Sequence, residues 1–184
     1  VNIGGDEPWE LGQGWSAEET KAKGKHRVYL DHLLSIHRLV AERDKTTQFW
    51  GDIILESPEL SAELPNDSIG IIWGYEADHP FESQCAAFAE SGIPFYVAPG
   101  TSAWNTIGGR YANAVANIKA ATRQAIEHGA KGMLLTDWGD FGHHHFPPIS
   151  YPALVWASTL SWNHDSEESF DDIHAINTIF FDGE

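Results

Sequence analysis

Short apolar runs that alternate with helical patterns constrain the fold of this chain more than any other feature. The runs are rich in β-branched or aromatic residues and bounded by turn residues, as buried parallel strands are, and they cover 1–5, 48–55, 68–75, 94–98 and 132–136. Apolar residues at helical spacing predict helices at 30–41, 81–90, 111–126 and 152–162, the last expected to be the final helix. This alternation predicts a parallel α/β fold.

Two parallel architectures fit the alternation, an open doubly wound sheet and a (β/α)8 barrel. No glycine-rich phosphate-binding loop follows any run, which argues against a nucleotide-binding sheet. Carboxylates, aromatic residues or amides follow every run instead, and a barrel builds its active site at the C-terminal ends of its strands. We therefore expect a partial (β/α)8 TIM barrel of about five βα units, where a complete barrel has eight, as a single domain over residues 1–184.

Charge excludes several classes of partner. The chain has 11 Lys and Arg against 27 Asp and Glu, a formal net charge of -16, and such a surface repels nucleic acid and anionic membranes. No apolar run approaches the roughly 20 residues of a spanning helix. The single Cys85 excludes an internal disulfide, and its helical spacing from Phe81 and Phe88 predicts a core position. No motif predicts a cofactor, no signal-peptide pattern is present, and the compartment stays unknown.

Tryptophan beside a carboxylate, repeated at successive strand ends, suits a sugar ligand. An indole covers the apolar C–H face of a pyranose, while carboxylates accept hydrogen bonds from its hydroxyls. Core packing is the alternative for any one tryptophan, and we expect it for Trp156 and Trp162 in the last helix. The candidate binding residues share a position at or near a strand end: Trp50, Asp52, Trp73, Tyr75, Tyr96, Trp104, Asn105, Trp138 and Asp140.

Asp6 and Glu7 form the strongest candidate catalytic pair. Adjacent carboxylates at a strand end repel, which raises the pKa of one and can keep that acid protonated near neutrality. Cleavage of a glycosidic bond needs such a proton donor for the leaving oxygen. The alternative is a solvated Asp–Glu pair, or a helix-cap role before Pro8.

Three consecutive histidines, His143, His144 and His145, could ligate a metal through imidazole nitrogens. Consecutive residues seldom all point at one ion, and no metalloprotease spacing is present, so we expect a loop with one histidine lining the site and no metal centre. The acidic stretch 165–172 is expected to be a solvated face.

Five motifs in order carry a resemblance to a known family. N-I-G-G-D-E at 2–7 resembles the signature of glycoside hydrolase family 20, the β-N-acetylhexosaminidases. W-G-D at 50–52, W-G-Y at 73–75, P-G-T-S-A-W-N at 99–105 and T-D-W-G-D at 136–140 follow in the order seen in one bacterial branch. The resemblance covers nearly the whole chain. It implies strands four to eight of a (β/α)8 barrel, and release of terminal β-linked N-acetylglucosamine or N-acetylgalactosamine with retention.

The resemblance also implies roles for individual residues. In that family the substrate's own acetamido oxygen attacks the anomeric carbon to give an oxazolinium ion, an exception to the two-carboxylate scheme. Glu7 would be general acid and then base, Asp6 would orient the acetamide N–H, and Asp140 would hold distal hydroxyls where many members carry Glu. Trp50, Trp73 and Trp138 would wall the pocket. The family's acetamide-binding tyrosine has no assigned counterpart, and the candidates for its role are Tyr75, Tyr96 and Trp104.

The same match leaves strands one to three of the barrel outside this chain, together with a sugar-binding Arg and a His. Five open βα units would expose two parallel edges and the apolar faces beside them, which predicts self-association, most simply a symmetric dimer. Completion by other chains or by a further segment is the alternative. Two functions therefore stay open, a glycosidase and an incomplete barrel that binds carbohydrate or is inactive alone.

Overall fold

The strands form one parallel sheet in the computed structural model, which describes residues 1–183. β1 (Gln48–Trp50), β2 (Ile69–Trp73), β3 (Phe95–Ala98) and β4 (Gly132–Met133) lie in the order β1-β2-β3-β4. β1 pairs with β2 in parallel, with Gln48 opposite Ile69 and Trp50 opposite Ile71. Consecutive strands that are neighbours and parallel need a crossover, and helices occupy those connections. The prediction of an α/β fold is confirmed.

Every predicted strand is shorter than its apolar run, and runs 1–5 and 48–55 differ from the prediction in kind as well as in length. Run 1–5 forms an isolated bridge with β1 between Asn2 and Gln48, and a further backbone hydrogen bond joins the Trp50 N–H to the Gly4 carbonyl at 3.1 Å. Gly4 and Gly5, with φ of 74° and 97°, then turn the chain out of the extended conformation. Run 48–55 ends as a strand at Trp50 and continues as α3 (Asp52–Glu56). A carboxylate in the first helical turn favours this start, and apolar residues alone do not distinguish a buried helix from a buried strand.

The helices agree with the predicted positions and add three more. The predicted helices correspond to α2 (Lys25–Ala41), α4 (Phe81–Ser91), α5 (Tyr111–Glu127) and α6 (Tyr151–Trp162), and the additional ones are α1 (Ala17–Lys23), α3 and α7 (Asp172–Phe180). α6 is therefore not the final helix. Asp171 caps α7 by accepting the backbone N–H of His174 at 3.0 Å, so the acidic stretch supplies a helix start as well as solvated side chains.

The chain divides into two compact units. The first consists of 1–73 and 82–96, and the second of 74–81 and 97–184. In the first unit, the Phe88 ring of α4 lies against Gly51 and Gly70, where a Cβ atom would overlap it. In the second, α5 and α6 share a core of small and large apolar residues: Ala114, Ile118, Ala153, Trp156, Ala157 and Leu160. The prediction of a single domain stays a prediction.

Core expectations outside the strands are partly confirmed. Cys85 is fully buried on α4, as predicted, and burial raises the pKa of its thiol to about 12. Trp156 is 5% exposed, in agreement with a core role, but Trp162 is 93% exposed. The core prediction for Trp162 was wrong because it is the last residue of α6, where the chain leaves the α5–α6 interface. No helix described within residues 1–183 is long and apolar enough to cross a membrane.

Candidate functional site

Asp52 connects the end of the first apolar run with the ends of β1 and β2. Its Oδ2 accepts the backbone N–H of Glu7 at 3.1 Å, and its Oδ1 accepts the indole N–H of Trp73 at 3.4 Å. Asp52 is the first residue of α3, directly after β1, while Glu7 follows the first apolar run and Trp73 ends β2. We call Asp6, Glu7 and Asp52 the acidic cluster. Three of the predicted residues are thus joined by hydrogen bonds, with Asp52 as the acceptor.

The electrostatics of the acidic cluster centre on Asp52. Burial raises the pKa of its carboxyl group, the hydrogen bonds from Glu7 and Trp73 act in the opposite direction, and the nearby charge of Asp6 raises the pKa further. The Asp6 and Glu7 side chains are exposed. A partly buried carboxylate therefore lies behind two carboxylates that solvent or a ligand can reach.

Sheet alternation places the other candidates of the first unit on one face. Phe88 lies against Gly51 and Gly70, and its ring packs 5.9 Å from that of Phe95, so these positions face α4. Successive strand residues point to opposite faces, which puts Trp50, Trp73 and Tyr96 on the face away from α4. Trp50 is buried there, while Trp73 and Tyr96 are half-buried.

Three aromatic residues of the second unit pack together. The indole N–H of Trp138 donates to the Tyr75 hydroxyl at 2.9 Å, and the Tyr75 and Trp104 rings meet edge to face with centroids 5.0 Å apart. Gly100 is required beneath them because a Cβ atom there would overlap both the Trp104 and Tyr75 rings. We call Tyr75, Trp104 and Trp138 the aromatic group, and all three are among the predicted binding residues.

The polar candidates of the second unit have different surroundings. Asn105 and Asp140 are exposed, and they are not part of the hydrogen bonds that hold the aromatic group. Asp137 is instead the carboxylate that side-chain hydrogen bonds hold in place. It accepts Thr101 Oγ1–H at 2.6 Å and Ser150 Oγ–H at 2.7 Å. Asp137 precedes Trp138 directly, so it anchors the backbone from which that indole extends.

Two asparagines of α5 were missed from the sequence although they hold the strand ends of the second unit. Asn117, fully buried, donates to the carbonyls of Gly74 at 3.0 Å and Glu76 at 2.8 Å and accepts the Gly100 N–H at 3.1 Å. Asn113, one turn earlier, donates to the Tyr75 carbonyl at 2.7 Å and accepts the Ala77 N–H at 2.9 Å. The available signal was a polar residue at 117 inside the apolar stripe of an amphipathic helix.

Left-handed backbone conformations concentrate in the segments that follow predicted strands. Seven non-glycine residues within 1–183 have positive φ, and five of these follow predicted strands: Glu7, Ser102, Asn105, Phe141 and His143. Each such residue costs about 1–3 kcal/mol, and strain of this kind clusters at active sites and ligand clamps. The Glu7 backbone, with φ of 43°, is therefore held in an unfavourable conformation that the Asp52 hydrogen bond stabilises.

The three consecutive histidines do not form a metal centre in the part of the chain that the structure describes, where no group of three or more His, Cys, Asp or Glu could hold an ion. His143 and His145 stack with ring centroids 4.2 Å apart. His145 is buried, and its Nε2 lies 3.8 Å from Asp137 Oδ1. The histidine segment therefore packs against the anchor of Trp138.

Comparison with known proteins leaves the resemblance to glycoside hydrolase family 20 as it stood. No model of a protein family matches the chain. No curated protein matches it in sequence.

Proposed function

We propose that this chain is a β-N-acetylhexosaminidase-type glycoside hydrolase that releases terminal β-linked N-acetylglucosamine or N-acetylgalactosamine with retention. The mechanism would be substrate-assisted, through an oxazolinium ion. Glu7 would protonate the leaving oxygen and then deprotonate the attacking water, while Asp6 would orient the acetamide N–H. The fold we propose for it is a partial (β/α)8 barrel equivalent to strands four to eight.

The hydrogen bond from Glu7 N–H to Asp52 is the observation that carries the proposal. A general acid must be held where its proton can reach the leaving oxygen, and positioning of this kind accounts for a large part of enzymatic rate enhancement. The Glu7 backbone is held by a partly buried carboxylate in a conformation that costs free energy. The two exposed carboxylates thus stay open to a ligand while the backbone that carries Glu7 is fixed.

The aromatic group supports a sugar as the ligand. Tyr75, Trp104 and Trp138 present apolar ring surface together with a hydroxyl, a combination that suits a pyranose ring and its polar substituents. The Tyr75 hydroxyl accepts the Trp138 N–H, and this hydrogen bond fixes the phenol ring beside the two indoles. Tyr75 is therefore the candidate we favour for the acetamide-binding tyrosine, ahead of Tyr96 and Trp104.

Carbohydrate binding without turnover is the second candidate function. The observation that favours it is that the aromatic group is formed entirely by residues of the second unit, whereas the acidic cluster belongs to the first. A chain with the aromatic group alone could bind a sugar without cleaving it.

The deciding experiment compares the wild-type chain with Glu7→Gln on a chromogenic N-acetyl-β-glucosaminide. We expect turnover in the wild type and a loss of about 10²- to 10⁴-fold in kcat for the variant, since that is the usual contribution of a general acid. Glu10→Gln, a change at an exposed carboxylate three residues along, is the matched control and should keep full activity. Sugar binding without turnover in all three proteins would favour the second function, and equal turnover in all three would exclude Glu7 as the acid.

Self-association belongs to the same proposal. β4 is an outer strand of the described sheet, and beside it Leu134 is 41% exposed. An unpaired parallel edge with an exposed apolar side chain favours pairing with a second copy, so we propose a symmetric dimer. Light scattering after size exclusion should give twice the chain mass of 20.4 kDa, and a monodisperse monomer would contradict the dimer.

A further inference from the structure

Tyr29 is a buried residue of α2 whose hydroxyl has no hydrogen-bond partner among the described residues. The residue is only 6% exposed, and a buried hydroxyl without a partner costs roughly 1–3 kcal/mol. The hydroxyl end of the ring points at Gly5, where a Cβ atom would lie 2.7 Å from it. A phenylalanine would fill the same space without that cost.

The residues around the Tyr29 hydroxyl indicate which groups it can hydrogen-bond. Gly5 directly precedes Asp6 and Glu7, so the hydroxyl lies beneath the turn that carries the candidate acid. Burial raises the pKa of the Tyr29 phenol, and the charges of Asp52 and Asp6 raise it further, so the phenol stays neutral and able to donate. The acidic cluster therefore contains one partly buried carboxylate, Asp52, and the Tyr29 hydroxyl is a buried donor near it.

Several charged groups on the neighbouring elements pair with one another. Arg27 of α2 binds Asp31 and Glu63, His26 of α2 binds Glu56 of α3, and Lys23 of α1 binds Glu19. The charges that act on the Tyr29 hydroxyl are those of Asp52 of α3 and Asp6 of the turn.

We propose that Tyr29 is a positioning residue of the acidic cluster: its hydroxyl donates a hydrogen bond to one water, and that water donates its two protons to the ionised Asp6 and Asp52 carboxylates, which holds the turn that presents Glu7. The hydrogen bond itself needs no enzymatic activity, whereas its role in positioning an acid rests on the proposed hydrolase function. Tyr29 does not touch substrate in this proposal. Its effect passes through the two aspartates.

The test reads the ionisation of Asp52 through the indole that it binds. Because the Trp73 indole donates to Asp52, tryptophan fluorescence followed from pH 3 to 8 should contain a step from Trp73 when Asp52 loses its proton, and the absence of that step in Asp52→Asn identifies it. A donor to a carboxylate stabilises the charged form and lowers its pKa. Tyr29→Phe should therefore move the midpoint upward by about one pH unit. Tyr111→Phe, which removes a hydroxyl bonded to Asp172 in the second unit, is the control and should leave the midpoint unchanged.

A measurement on the wild type keeps the proposal testable if Tyr29→Phe does not fold. With ¹³C-labelled tyrosine, the Cζ signal of Tyr29 should shift with the same midpoint as the Trp73 fluorescence, because its hydroxyl senses the carboxylate charge. A midpoint unchanged in Tyr29→Phe, or a Tyr29 signal that does not follow the carboxylate titration, would overturn the proposal. A shifted midpoint in a chain without turnover would support the hydrogen bond and count against the hydrolase, so the two failures are distinguishable.

Discussion

The strand ends of the first unit are held by a carboxylate, and those of the second unit are held by amides. In the first, Asp52 accepts from Glu7 and Trp73, and burial raises the pKa of its carboxyl group. In the second, Asn117 both donates and accepts, and the exposed Glu76 beside it has its pKa lowered by a hydrogen bond from Arg110. The comparison teaches that the two kinds of support differ in how they respond to pH. An ionisable support responds to pH, whereas an amide support does not.

Asn117→Ala should have the largest effect on this comparison. The change removes three hydrogen bonds and leaves the Gly74 and Glu76 carbonyls and the Gly100 N–H without that partner. Buried groups left unsatisfied make such changes costly, and we expect a loss of about 2–4 kcal/mol in the free energy of unfolding. Urea denaturation measures it.

The matched control for Asn117 is Asn66→Ala, at an exposed turn position of the first unit, which should change stability by about 0.5 kcal/mol at most. If both asparagine variants lose similar stability, the amide support of the second unit has no special role.

Tyr75→Phe should have an intermediate effect, on binding rather than on the fold. The variant keeps the ring that packs against Trp104 and loses the acceptor of the Trp138 N–H. We expect binding of N-acetylglucosamine to weaken about fivefold, the equivalent of roughly 1 kcal/mol. Isothermal titration calorimetry measures this, and Tyr111→Phe should bind as the wild type does. Equal affinity for Tyr75→Phe and the wild type would remove the aromatic group from the proposed binding site.

Asp52→Asn should have the smallest effect, and its sign depends on pH. A pKa raised in the folded state means that the folded protein holds this proton more tightly than the unfolded chain does. The stability that this group contributes is therefore present below the ordinary aspartate pKa and is lost as the pH rises through the raised value. Asparagine keeps an oxygen acceptor and carries no charge, so the variant should equal the wild type near pH 3 and exceed it by about 0.5–1 kcal/mol at pH 7, allowing for solvent screening.

Urea denaturation at the two pH values checks the prediction for Asp52. A variant that is less stable than the wild type at pH 7 would mean that the charge-assisted hydrogen bonds outweigh the cost of burying the carboxylate. The interpretation that ionised Asp52 costs the first unit stability, unlike the neutral amide support of the second, would then be wrong.

The spacing of apolar residues predicted the parallel α/β class and four of the helices, because an amphipathic helix repeats its apolar residues at a spacing that the sequence itself shows. It missed α1, which buries no residue, α3, because Ile53 and Ile54 would suit a strand equally well, and α7, because its start lies inside an acidic stretch. Local patterns also identified Glu7 and Tyr75 as candidates. They could not predict that Asp52 accepts from a residue 45 positions earlier, since that contact exists only after packing.

The packing of the Phe88 ring against two glycines limits which substitutions this fold accepts. Gly51 and Gly70 both lie against that ring, and a Cβ atom at Gly51 would come within 2.8 Å of it. Substitutions at positions 51, 70 and 88 are therefore coupled. A side chain larger than hydrogen at position 51 or 70 fits only if the residue at position 88 is smaller than phenylalanine. Related sequences should change at these three positions together, and that linked variation would mark relatives that share this strand–helix packing even where the acidic motif has diverged.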